Sequence, residues 1–108
     1  MIDFECIVQS GVVGPEIRPN LISGLESVCS SVLGDPADSV RVSFTEVPEG
    51  SGYQGGEPSR ISLIMGRIPP GCESDLRTQL LKDIGDMWSH QTGCPADQIV
   101  VAATDRTD

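Results

Sequence analysis

Seven lysines and arginines stand against sixteen aspartates and glutamates, a net charge of −9, so each arginine able to hold an anion is conspicuous. Arg41 lies in the alternating run Val40-Arg-Val-Ser-Phe-Thr45, and Arg67 closes a second apolar run. A strand-borne guanidinium presents a planar fork that fits a carboxylate through two parallel hydrogen bonds. Asp3 and Glu5 alternate with Ile2, Phe4 and Cys6. A carboxylate in an apolar pocket can rise toward neutral pKa and serve as a general base. The residues favour the plainer reading, an ion pair between Arg41 and one of these acids across a shared sheet face.

The stretch Gly50-Ser-Gly-Tyr-Gln-Gly-Gly56 offers backbone N–H groups to an anion, but it lacks the lysine and the helix start of a phosphate loop. His90 and Cys94 sit four apart, with Cys72 as a third ligand to consider. There is one histidine in the chain, and the predicted helix ends between the pair, so neither a zinc set nor a Cys–His nucleophile is expected. No metal or cofactor is expected elsewhere. Cys6 and Cys29 fall on apolar faces and read as buried thiols.

The elements that would position these groups follow from periodicity. Residues 2 to 9 alternate as a strand, with Ile2, Phe4, Cys6 and Val8 on one face. A helix starting near Pro19 carries Leu21, Ile22, Leu25, Val28, Cys29, Val32 and Leu33 on one stripe and stops at Gly34. Residues 40 to 45 form a second strand, 48 to 59 a loop or loose hairpin, and 60 to 68 a third strand. A second helix opens at Glu73 or Ser74 with Leu76, Leu80, Leu81, Ile84, Met87 and Trp88 on one face, and Gly93 and Pro95 stop it. A fourth strand covers 98 to 103, and 105 to 108 read as a polar tail.

Twelve residues then recur. Gly34-Asp-Pro-Ala-Asp-Ser-Val-Arg-Val-Ser-Phe-Thr45 matches Gly93-Cys-Pro-Ala-Asp-Gln-Ile-Val-Val-Ala-Ala-Thr104 at six positions with an offset of 59. Carried outward, that offset sets Ile2 on Ile61, Leu21 on Leu80, Leu25 on Ile84 and Cys29 on Trp88. The chain thus reads as one α+β domain, residues 1–108, made of two tandem β-α-β units of about 1–59 and 60–108. Right-handed crossovers would give a four-stranded sheet with both helices on one face. The other face would expose Asp3, Glu5, Arg41, Ser43 and Thr45 beside Val100, Ala102 and Ile64, a mixture that a homo-oligomer would cover.

The acidic surface argues against nucleic-acid and membrane-surface partners. With no apolar run of roughly 18 residues and no basic-then-apolar leader, a cytoplasmic location is expected.

Two fused units of this size resemble the tautomerase superfamily of 4-oxalocrotonate tautomerase and macrophage migration inhibitory factor. Ser39-Val-Arg-Val42, Thr45-Glu46, Gly50 and Gly55-Gly-Glu57 are similar to the second strand and hairpin loop of the former. The resemblance implies a homotrimer. It also implies substrate contact through Arg41 with a small anionic molecule, a loop aromatic near Tyr53 and a further arginine at Arg67. The family works through an amino-terminal proline, and Ile2 stands at that place here. A bulky second residue implies that Met1 is kept, so little or no proline-dependent tautomerase activity is expected. The alternatives are a relative that keeps the trimer only to bind or assemble, and a hetero-assembly with a proline-bearing paralogue.

Overall fold

The computed structural model describes residues 1–106. Strand β1 (Ile2–Gln9) leads to helix α1 (Arg18–Leu33) and strand β2 (Val40–Val47). A small hairpin of β3 (Tyr53–Gln54) and β4 (Glu57–Pro58) follows. Strand β5 (Ser62–Ile68), helix α2 (Ser74–Thr92) and strand β6 (Ile99–Asp105) complete the chain. The main sheet runs β2-β1-β5-β6, parallel within each unit and antiparallel where β1 meets β5. This is the expected α+β architecture of two β-α-β units.

Both helices end as the sequence predicts. Gly34 and Gly93 adopt φ of 76°, the left-handed region where a Cβ is costly, and each donates its N–H back to Ser30 or Ser89. Pro19 sits in the first turn of α1, where no N–H is required. The helices share one sheet face and meet closely, because a Cβ on Gly24 would come within 2.5 Å of Met87 Sδ. Between helices and sheet lie Ile2, Phe4, Cys6, Val8, Leu21, Leu25, Ile64, Ile68, Leu80, Ile84 and Trp88, all buried. Leu76, expected on that face, lies in the first turn of α2 and is 42% exposed. Burial, with the charge of Glu5 or Asp35, pushes the Cys6 and Cys29 thiols up to about 12, so both are inert at neutral pH.

The register corrects the repeat in one respect. Val40 pairs with Ile2, and its counterpart Ile99 pairs with Ser62. The helices and second strands therefore keep the offset of 59, but the first strands are related by 60. Ile2 corresponds to Ser62 and not to Ile61, and Phe4 corresponds to Ile64. With this parity Ile64 is fully buried toward the helices, and Leu63, Met65 and Arg67 take the opposite face. The expectation that Ile64 lies on the open face is overturned. Strand β6 also continues to Asp105, two residues past the expected end. Thr107 and Asp108, read as tail, lie outside the described residues.

One buried side chain holds both ends of the segment that carries the hairpin. Gln9, only 3% exposed, accepts a hydrogen bond from the Gly50 N–H at 3.1 Å and donates from Nε2 to the Ser59 carbonyl. It thereby grips both ends of the excursion. Gln9→Ala removes both bonds and is expected to cost about 1–3 kcal/mol. Hydrogen exchange should speed up at the Ser59 amide, which bonds Gly52 within the hairpin, while the Ile84 amide in α2 stays protected.

Candidate functional site

Three rows of side chains cross the helix-free face of the sheet. Strand alternation puts every second residue there, and the pairings of the four strands align them. The first row reads Thr104, Arg67, Asp3, Arg41; the second Ala102, Met65, Glu5, Ser43; the third Val100, Leu63, Ile7, Thr45. The first two rows line an open cleft of about 720 Å³.

The first row is the candidate site. Arg41 donates from Nε to Asp3 Oδ1 at 2.9 Å, and Arg106, just beyond β6, forms an ion pair with Asp3 Oδ2. The Arg106 backbone N–H also donates to the Ile68 carbonyl at 2.8 Å, which fixes that arginine against the end of β5. Burial pushes the Asp3 carboxyl up, but the hydrogen bonds and charges of Arg41 and Arg106 outweigh it and leave its pKa below the usual carboxylate value. Asp3 is thus held as an anion and is no proton acceptor at neutral pH. The ion-pair reading of Arg41 is what the geometry gives.

Arg67 is directly opposite Asp3 in the antiparallel ladder, yet both Asp3 oxygens are already engaged. The other basic side chains are also engaged: Arg18 with Glu46, Arg60 with the Gly11 carbonyl, Arg77 with Asp105, Lys82 with Asp86, and Arg41 and Arg106 with Asp3. Among the described lysines and arginines Arg67 alone has no side-chain hydrogen-bond or ion-pair partner, and it is exposed. Arg41 and Arg67 are therefore brought together, as neighbours on either side of Asp3.

Tyr53 is not brought to them. Strand β2 enters the sheet at the first row and leaves beyond the third, so the hairpin it feeds stands at the far end; Gln54 Nε2 donates there to the Asp97 carbonyl, just ahead of β6. Within the chain Tyr53, 63% exposed, lies remote from both arginines. Ile2 points its side chain into the core, and the residue in phase with Asp3 on the open face is Met1. Cys72 precedes α2 and His90 lies in its last turn, so a helix rise of 1.5 Å per residue keeps them roughly 25 Å apart. They form no common site with Cys94.

Sequence reasoning missed Arg106 and Thr104 as members of the row. In the sequence Arg106 falls in the polar tail, and Thr104 stands out only as the end of the repeated motif. The pairing of Asp3 with Arg67 could have been found by extending the repeat with face parity enforced.

A scan against models of protein families gives no match, and a search of curated proteins gives none. Solved structures do match. The chain is similar to native Ps01740, with 30% identity and a TM-score of 0.90 over 96% of this chain and 93% of that one. It is also similar to the Q0 fused 4-OT, described as a wild-type symmetric trimer, with 19% identity and a TM-score of 0.87 over 96% and 85%. A third match is N1, a member of the cis-3-chloroacrylic acid dehalogenase family, with 18% identity and a TM-score of 0.90 over 96% and 74%. The last two carry the fold alone. With a 30% identical relative spanned almost end to end and fused 4-OT proteins sharing its duplicated fold, the chain belongs to the tautomerase superfamily.

Proposed function

We propose that this protein binds a small carboxylate, or an enol or keto acid, on the open face of the sheet and lacks proline-dependent tautomerase activity. The observation that carries the reading is the row Thr104–Arg67–Asp3–Arg41, with one guanidinium left unpaired. A secondary amine that combines nucleophile and base is what the superfamily's chemistry requires, and β1 contains no proline. Asp3 is pinned as an anion and does not replace it. Glu5, two residues along the same face, is the remaining carboxylate in the cleft.

The test is a screen with 2-hydroxymuconate and phenylenolpyruvate, together with intact mass to establish whether Met1 is retained. Ketonisation is expected at the background rate. A rate well above background that is lost in Arg41→Ala would overturn the reading.

A second reading has support of its own. Met65 and Val100 are 50% and 42% exposed on the open face, and several structural relatives are described as trimers. A relative that keeps the trimer for binding or assembly would cover these residues, and a subunit boundary is also the route by which Tyr53 could approach a neighbour's arginines. Native mass spectrometry distinguishes a homotrimer from a hetero-assembly with a proline-bearing paralogue.

A further inference from the structure

We propose that Asp3 is an internal counter-anion that sets the charge of the ligand, so that the cleft accepts a monocarboxylate with an apolar body and rejects a dicarboxylate. This rests on the carboxylate-binding reading above and narrows it. A pair of neighbouring arginines on one sheet face would by itself suit two carboxylates. Here the Asp3 carboxylate already bridges Arg41 and Arg106, one oxygen to each. A ligand carboxylate approaching Arg41 must displace a side chain tethered to β1, which is present at high effective concentration. Arg67 has no such competitor and offers its planar fork directly.

The charge balance of the cleft agrees. Arg41 and Arg67 stand against Asp3 and Glu5 in its lining, so the lining holds no excess positive charge for a second ligand carboxylate. Glu5 has no hydrogen-bond or ion-pair partner among the described residues, and it lies one row beyond Asp3, about 7 Å along β1 at strand spacing. The far carboxylate of a short dianion bound at Arg67 would meet Asp3 to one side or Glu5 ahead, both repulsive. In the direction of β6 the same row offers Met65 and Ala102, which suit an alkyl or alkenyl tail.

Crotonate and fumarate test this, because they share a four-carbon trans-alkene and differ only in a methyl or a carboxylate at the far end. Binding is measured by NMR titration at fixed ionic strength on the intact protein. Wild type should bind crotonate at least about ten-fold tighter than fumarate, and Arg67→Ala should weaken crotonate by about ten-fold or more. Asp3→Asn, nearly isosteric, should raise fumarate affinity about ten-fold with crotonate little changed. Glu5→Gln should shift fumarate in the same direction without touching the Asp3 ion pairs, and so serves if Asp3→Asn unfolds. Equal affinity for the two acids in wild type, or no gain for fumarate in Asp3→Asn and Glu5→Gln, would overturn the charge-selection proposal and leave carboxylate binding intact. Failure of wild type to bind either acid would overturn both.

Discussion

Trp88→Ala is expected to lower the stability of the fold by about 3–5 kcal/mol, the largest loss from any single truncation in this core. The indole is fully buried and packs against Phe44 with ring centroids 6.4 Å apart. Phe44 is capped in turn by the Arg18 guanidinium at 5.2 Å, so the loss would reach from α2 through β2 to the start of α1. A cavity of indole size between two helices and a sheet cannot collapse without moving the helices, and a domain of this size has only about 5–15 kcal/mol in reserve. Trp88→Phe should cost much less, because Trp88 Nε1 is buried with no hydrogen-bond partner and its removal forfeits no bond. Trp88 is the single tryptophan, so unfolding in urea must be followed by circular dichroism. Equal losses for the two variants would show that the indole nitrogen contributes a bond not accounted for.

Gly66→Val is the second large effect, expected at about 2–3 kcal/mol or more. Gly66 pairs with Phe4 across β1 and β5, and a Cβ there would lie 2.6 Å from Phe4 Cε1. Phe4 is 2% exposed, so its ring has no free space in which to turn. The backbone φ at Gly66 is not in the left-handed region, which makes the requirement for glycine one of space alone. Phe4→Leu combined with Gly66→Val should therefore lose less than the sum of the single changes, as a double-mutant cycle by thermal unfolding would measure. The effect also bears on the site, since Gly66 lies between Met65 and Arg67 on β5 and pairs with Phe4 of β1.

Much of this architecture was legible because its signals are local. Gly34 and Gly93 announce their helix ends by type, the stripe from Leu21 to Cys29 has helical spacing, and the recurrence at Thr45 and Thr104 shows two copies. What was not legible was relative position. The run Ile61-Ser-Leu-Ile-Met-Gly-Arg-Ile68 is apolar on both parities, so alternation alone cannot choose which side meets the helices. The antiparallel pairing with β1 chooses it, and that pairing is a long-range event. The same limit hid the site. Asp3, Arg41, Arg67 and Arg106 are spread over more than a hundred positions of sequence and become neighbours only through register. Arg41 was legible because its own strand places it; Arg67 matters because Asp3 is spent on others.

The offset of 60 between β1 and β5 carries a consequence of its own. It makes Glu5 and Met65 equivalent positions that also face each other, so a pseudo-two-fold axis runs through that pair. Rotation about it carries the row Thr104, Arg67, Asp3, Arg41 onto Thr45, Ile7, Leu63, Val100. The two threonines exchange, and every charged residue meets an aliphatic one. Duplication gave this chain two copies of one surface, and divergence has left the molecule with a head and a tail: a symmetric backbone carrying an ionic end and an oily end, able to treat the same approaching molecule in opposite ways.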